Sequence, residues 1–445
     1  MARKGLFILF LLGVLAAFFY FRFYMHNKEQ EPLLIERMPE GDLIGKVDVL
    51  QLARELKPFL FYNKIPFRDM LSYEFILAQG KNYGVNLQEP AYFFVNGGGE
   101  EWGAMFALSD SSRVRAGYQR LSAEVELKDT TIGKQKLVKI NGENLFLTHG
   151  EKWLMLYHGK NVFTYVHKVL YTKRGEIKER WKRFREIKEF EGESLIVSSE
   201  GKQVRKYGFE SLVMSQDCDS IHLDIKAFVR SSLPLGLEMK QQGMSLMNRD
   251  QSKRTVDLHL KIDSLRGKKN NPLVKLLRDA GKRVGFPTGE FLEAWEGDVS
   301  FQEGGLSMVR EKYVETVMDE EFNTKQVEKE RETWVPAYSL LLSMNEKQKQ
   351  FVGKLFAKGI MRKDQEHYRL LTSPPLVFYQ RDDHLMFFSG MKTPELLDSV
   401  SNEVRWTDGD LIYHFQLDSI QEKQLFFKLG IPLLPFLKKQ KIFMK

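Results

Sequence analysis

Asp217-Cys218-Asp219, followed by His222 and Asp224, is the densest set of chemically capable side chains in this chain of 445 residues. Carboxylate, thiolate and imidazole are the usual protein ligands for a transition metal. His222 and Asp224 are two positions apart, so on a strand they share one face while Ile221, Leu223 and Ile225 take the other. A turn and one strand would then offer three donors. No H-x-x-x-H or C-x-x-C spacing supplies the rest, so no metal ligand is assigned. The polar side of a half-buried strand accounts for the pattern. Cys218 would be a nucleophile only if its surroundings lowered its pKa, and no local signature points to that.

The other candidates are weaker. His149 and His158 flank an apolar hairpin, and Asp382-Asp383-His384 fills the turn of a second one. Paired carboxylates can divide acid and base roles, but Asp suits turn geometry in itself. Gly97–Gly103 lacks the Lys-Ser/Thr of a P-loop and is followed by a strand, so it reads as a hairpin turn. Lys173–Lys188 is basic with Trp181 and Phe184, yet Glu176, Glu179 and Glu186 interrupt it; a solvated amphipathic helix is expected, not a nucleic-acid surface. No serine-nucleophile elbow or H-E-x-x-H helix occurs. The sequence therefore assigns no catalytic residue, no cofactor and no metal, and it implies a protein that is not an enzyme.

The elements around these residues follow one scheme twice. Trp102–Ser109 and Ala337–Ser343 are apolar strands that run into polar, helix-favouring stretches. Each is followed by an apolar hairpin, Leu145–Tyr157 in one case and Leu376–Phe388 in the other. A helix is expected to begin at Val162–Tyr171 and again at Thr393–Val400. Gly84–Tyr171 and Phe291–Val400 are accordingly read as copies, with Leu108 equivalent to Leu342 and Leu154 to Leu385. Lys173–Glu189 reads as a charged helical segment, and Glu311–Thr333 as a solvated hairpin extension or a helix. Strands cluster before each helix, which favours antiparallel sheets over βαβ alternation.

Gly5–Phe21 carries no charge and ends at Arg22. At ~1.5 Å per residue it covers roughly 25 Å, near the lower limit for a bilayer core. Ala16-Ala17 runs straight into Phe18-Phe19-Tyr20, which argues against a cleaved signal peptide. Arg3 and Lys4 on the N-terminal flank put that end in the cytoplasm by the positive-inside rule. One cysteine rules out an intramolecular disulfide, and no Asn begins a glycosylation sequon, which fits a bacterial envelope. The net charge of +8 is a mild excess that would suit an acidic partner, but a mixed solvated surface is the favoured explanation. The tail Leu429–Lys445 mixes apolar residues with lysines. It suits either an anionic membrane surface or packing onto the preceding domain.

With its anchor at Gly5–Phe21, Pro90–Asn96 (PAYFFVN), the strand WGAMFAL and the hairpin ending KWLMLY, the chain resembles bacterial membrane-anchored envelope proteins of the domain-of-unknown-function type. That resemblance implies a periplasmic body and carries over no catalytic residue. The expected fold class is α+β: an N-terminal transmembrane helix followed by two similar domains with mainly antiparallel sheets packed by helices. The expected boundaries are an anchor at 1–26, a tether at 27–40, a first domain at 41–275 and a second at 276–445. The expected location is the inner membrane of a bacterium, single-pass, with the N-terminus cytoplasmic and the body periplasmic. The expected role is a non-catalytic scaffold or partner-binding module, with binding of a lipid or other apolar ligand as the alternative. The expected partners are the membrane and an envelope protein or apolar ligand, with no nucleic acid.

Overall fold

The computed structural model describes residues 33–62, 72–124, 126–133, 135–140, 144–219, 221–247, 252–318, 322, 324–364, 367–370, 372, 376–409, 411–433 and 435–436. The chain divides into two compact units. Unit one takes Met1–Ile44 and Gly80–Glu189, and unit two takes Gly45–Gln79 and Phe190–Lys445. The first strand, β1 (Leu43–Val47), spans the sequence division between them.

In unit one the strands are β2 (Ala91–Asn96), β3 (Glu101–Ala107), β4 (Leu127–Ile132), β5 (Gln135–Ile140), β6 (Leu145–His149) and β7 (Trp153–His158). They pair antiparallel in the order β2-β3-β7-β6-β5-β4, and the helix Ser111–Glu124 follows β3. The period-two alternation of WGAMFA decides which face is buried: Gly103, Met105 and Ala107 turn inward. Gly103 has to be glycine, because a Cβ there would lie 2.5 Å from the ring of Phe94. Gly97, Gly98 and Gly99 all have positive φ and close the β2–β3 hairpin. Phe94, Met105, Met155 and Val166 are fully buried, and Phe94 stacks on Tyr165 of the helix Val162–Leu170. The end of the segment read as a tether belongs to this core. Leu34–Arg37 is a short helix, Ile35 and Met38 are buried, and Trp181 Nε1 donates to the carbonyl of Pro39 at 2.8 Å.

Unit two contains β8 (Leu195–Ser199), β9 (Phe209–Cys218), β10 (His222–Ser231), β11 (Glu238–Met239), β12 (Gly243–Leu246), β13 (Arg254–Lys261), β14 (Trp295–Met318) and β15 (Thr324–Met344). It continues with β16 (Met361–Asp364), β17 (His367–Leu370), β18 (Leu376–Gln380), β19 (His384–Phe388), β20 (Leu396–Ser399), β21 (Glu403–Asp408), β22 (Leu411–Ile420) and β23 (Gln424–Pro432). Its main sheet runs β16-β17-β18-β19-β15-β14-β13-β21-β22-β23-β10-β9-β8, every ladder antiparallel. β12 and β20 form a separate two-stranded ladder. The core gathers Trp295, Leu342, Phe351 and Leu385 beneath the helix Gln348–Ala357. The order β14-β15-β19-β18-β17-β16, with a helix after its second strand, matches that of unit one. In unit two Leu342 stands opposite Leu385. In unit one the residue opposite Leu154 is Phe106, two positions before the expected Leu108.

Three expectations are corrected. The class is sheet-dominated, a mostly antiparallel architecture with helices between its strands, in place of a transmembrane helix and two α+β domains. Gly5–Phe21 lies outside the described residues, and no described helix is long and apolar enough to cross a membrane. The spanning helix, the signal-anchor reading and the single-pass inner-membrane location with a periplasmic body therefore lose their structural basis and are not carried forward. Finally, Thr393–Val400 does not begin a helix. Leu396–Ser399 is strand, because its backbone pairs with Gly243–Leu246 and that pairing overrides the local preference of Pro-Glu-Leu-Leu.

Candidate functional site

The Asp217–Asp224 set sits where β9 turns into β10. Asp219 Oδ1 accepts from the backbone N–H groups of Ile221 and His222 at 2.6 and 2.5 Å, so its carboxylate is tied up as a turn anchor. Those bonds, His222's first, hold its pKa below the ordinary value. Asp217 and Asp224 face each other across the ladder, and each meets a lysine: Lys226 at 3.5 Å from Asp217 and Lys428 at 2.8 Å from Asp224. Burial, reinforced by the charges of Asp219 and Asp217, pushes the Cys218 thiol up to about 11, the wrong direction for a nucleophile. Among the described residues no group of three His, Cys, Asp or Glu side chains is placed to hold a metal.

Trp181 and Phe184, the aromatics of the basic run, are core residues of the helix Glu179–Arg185 and are closed to a base. His384 is buried on β19 with Nδ1 2.7 Å from Asp383 Oδ1. Leu429–Pro432 of the tail is strand, Leu433 packs with Phe59 and Cys218, and 437–445 lie outside the described residues.

A second polar cluster was not apparent from the sequence. Ser245 Oγ lies 3.1 Å from His259 Nε2, and His259 Nδ1 lies 3.1 Å from Asp298 Oδ1. The connectivity is that of a nucleophilic triad. Lys240 Nζ donates to Asp298 Oδ2 at 2.8 Å, and the Asp298 N–H donates to Ser343 Oγ at 2.8 Å. Access decides its meaning. Ser245 is 2% exposed, His259 0% and Asp298 6%, and a Cβ on Gly243 would lie 2.1 Å from the His259 ring. A substrate carbonyl has no route to Ser245 Oγ. The cluster bolts the β12–β20 ladder onto β13 and β14, with Leu246 N–H donating to Ser300 Oγ at 3.0 Å alongside it. Sequence offered one cue, the alternation of Asp257 and His259 on one face of β13.

The outer half of β14 and β15 exposes several large apolar side chains. β13 pairs with β14 only as far as Glu303, and β19 pairs with β15 only from Ser339. Between those points the two strands continue alone, from Leu306 opposite Pro336 to Met318 opposite Thr324, roughly 40 Å at ~3.3 Å per residue. The exit is built into the sequence. Gly304 and Gly305 both have positive φ, the register slips between Glu303 and Leu306, and Pro336 stands opposite Leu306. A glycine bulge bends the ribbon away, and a proline marks where ladder pairing stops.

Residues opposite one another on such a ribbon share a face. One face carries Leu306 at 64% exposure, Trp334 at 63%, Val314 at 58% and Met318 at 64%. Between the apolar ends Arg310 reaches Glu332 at 3.3 Å and Glu330 at 3.7 Å. On the opposite face the valines are half-buried, and the Arg331 guanidinium lies 5.6 Å from the Tyr313 ring centre. At the root, Met247, Leu306, Met308 and Met391 line a groove of about 410 Å³, with Lys392 and Glu395 on its wall. Thioether side chains adapt their shape to an apolar neighbour. Met247, Leu306 and Met391 are at least half exposed, so this is an open groove and not a closed ligand cavity.

No family model and no curated protein matches the chain. Similar solved structures include crystal forms III, IV and I of a protein named TP0453. Form III is 8% identical, with 46% of this chain and 81% of that one covered, at a TM-score of 0.31. Form IV gives 7%, 45%, 80% and 0.31, and form I gives 7%, 45%, 80% and 0.30. Likeness at this level carries no argument for fold or function.

Proposed function

We propose that this chain is a non-catalytic protein-binding module and that the ribbon Leu306–Pro336 is the element that makes contact. The observation that carries the reading is a pair of strands with no third strand beside them, among the described residues, and with four large apolar side chains on one face. A two-stranded ribbon by itself is marginally stable in water. Its own cross-strand ion pairs are exposed and add little, a few tenths of a kcal/mol up to about 1 kcal/mol each. An apolar side chain of this size contributes about 1.5–3 kcal/mol when fully buried. A partner that covered Trp334, Leu306, Val314 and Met318 would therefore stabilise the ribbon more than its own contacts do. The alternative, binding of a small apolar ligand, has the root groove in its favour, but an open groove leaves much of such a ligand in water.

The test is site-specific photo-crosslinking in cells. A photoreactive residue at Val314 should give a protein adduct, and one at Val284, an exposed position off the ribbon, should not. Replacing Ser307–Val335 by Asn-Gly should leave the thermal transition of the body in place and abolish cellular function. No adduct at Val314, together with full function of the trimmed protein, overturns the reading.

A further inference from the structure

We infer that the partner of the ribbon is the ribbon of a second copy of this chain, stacked face to face along the surface that carries Met308, Arg310 and Lys312. This rests on the ribbon being the contact element and adds the identity of what it contacts. The argument lies in how charge is divided between the two strands. On the exposed face the β14 side presents Met308, Arg310 and Lys312, and the β15 side presents Trp334, Glu332 and Glu330 directly opposite them. One edge of the face is basic and the other acidic, at matching heights.

Two identical ribbons can stack on that face in two simple ways. With the twofold axis across the strands, β14 lies over β14 of the second copy. The cations then meet near the axis, and so do the carboxylates. With the axis along the ribbon, β14 lies over β15 of the second copy. Arg310 then faces Glu332 of the second copy, Lys312 faces Glu330, and Met308 faces Trp334. Like charges at close range cost energy and opposite charges set register, so only the second arrangement is self-complementary. The pairs inside one ribbon, Arg310 with Glu332 and Glu330, would join those of the second copy in a six-membered network. The apolar ends, Leu306 with Trp334 and Val314 with Met318, would lose their exposure in the same step. The other face offers less apolar surface, because its valines are half-buried and Tyr313, 37% exposed, has the Arg331 guanidinium 5.6 Å from its ring centre.

The face is roughly 40 Å long and two strands wide, on the order of 400 Å² per copy. A standard stable interface buries about 800 Å² per partner. The dimer is therefore a reversible one, governed by concentration and weakened by salt.

The experiment is sedimentation of the full chain as a function of concentration. The weight-average mass should rise with concentration toward twice the monomer, as a small reversible interface requires. Arg310→Glu with Lys312→Glu makes the whole face acidic and should hold the protein monomeric. Glu330→Lys with Glu332→Lys makes it basic and should do the same. An equimolar mixture of the two variants should recover the doubled mass, which no loss of folding in either variant could produce. An unchanged mass over the wild-type series overturns the inference. So does a dimer that survives the acidic variant, or a mixture that stays monomeric. A crosslink from Val314 to a different protein, with the full chain monomeric, would reject the second copy while leaving the ribbon as a docking element.

Discussion

Met308 and Trp334 stand directly opposite each other on the two strands of the ribbon, just beyond the point where the sheet lets both strands go. Met308 is half-buried at the root groove, while Trp334 remains 63% exposed. A tryptophan held in water on a ribbon that leaves the sheet does nothing for the packing of the unit behind it. Its placement makes sense as surface to be covered by something else.

Trp334→Ala should therefore separate folding from association. Exposed positions away from caps and cores shift stability by within about ±0.5 kcal/mol. The denaturant midpoint of the body should hardly move, while crosslinking from Val314 and concentration-dependent mass both fall. A large loss of stability would mean that Trp334 packs on its own unit.

Glycines at positive φ separate into two kinds, and substitution distinguishes them. Gly98 has φ 67, and a Cβ there would meet nothing within 4 Å, so Gly98→Ala costs only left-handed strain, about 1–2 kcal/mol. Gly297 has φ 100, and a Cβ there would lie 1.7 Å from the carbonyl oxygen of Leu260. Gly297→Ala must displace the β13 backbone as well and should cost more than about 3 kcal/mol, strain of that order being the usual upper end for one residue. Thermal unfolding of the two single variants checks the order.

Leu385 is fully buried and faces Leu342 across the β15–β19 ladder, inside the core under the helix Gln348–Ala357. Leu385→Ala should destabilise by about 2–5 kcal/mol, as buried leucine truncations do. Urea unfolding measures it, and a loss below about 1 kcal/mol would place Leu385 outside the core.

Individual strands were legible because alternation shows directly in the residues. Trp102–Leu108 reads as a strand and is one over Glu101–Ala107, and the charged stretch Glu311–Thr333 admitted a hairpin extension, which it is. Helices were harder. Lys173–Glu189 has helical composition throughout, yet only Glu179–Arg185 is helix, where Trp181 and Phe184 find a core. Leu396–Ser399 is strand because its backbone pairs with β12, a partner that local preference does not reveal. The cluster of Ser245, His259 and Asp298 was out of reach, since its members come from three strands that only the tertiary fold brings together. The ribbon's exposed face was recoverable in principle. Met308, Arg310, Lys312 and Val314 recur at period two, and so do Glu328, Glu330, Glu332 and Trp334, but the register that sets them side by side depends on where the turn falls.

The same buried cluster makes stability depend on pH through two carboxyls that act in opposite senses. For Asp298, burial alone would raise the pKa, but hydrogen bonds from His259 and Lys240, with the charge of Lys240, outweigh it and the value is lowered. The folded state therefore favours the charged form. Its contribution is present above the ordinary value of 3.8 and is lost as pH falls through the lower folded value. For Asp257, burial wins over hydrogen bonds from Ser300 and Ser245 and over the attraction of His259, while Glu403 adds repulsion, and the pKa is raised. Glu403 is itself bonded to His414 at 2.8 Å. The folded state keeps the Asp257 proton longer. Stability from this group falls as pH rises from 3.8 through the raised folded value, and the penalty persists at neutral pH. Asp298→Asn should therefore cost about 3–5 kcal/mol at pH 7, as removal of one member of a buried ion pair does, with the deficit shrinking toward pH 3. Asp257→Asn should cost little at pH 7 or stabilise, and should flatten the decline above pH 4. Urea midpoints for both variants between pH 3 and pH 8 give the answer. Parallel curves for wild type and Asp298→Asn across that range would remove Asp298 from the ion pair and leave the bolt held by its neutral hydrogen bonds.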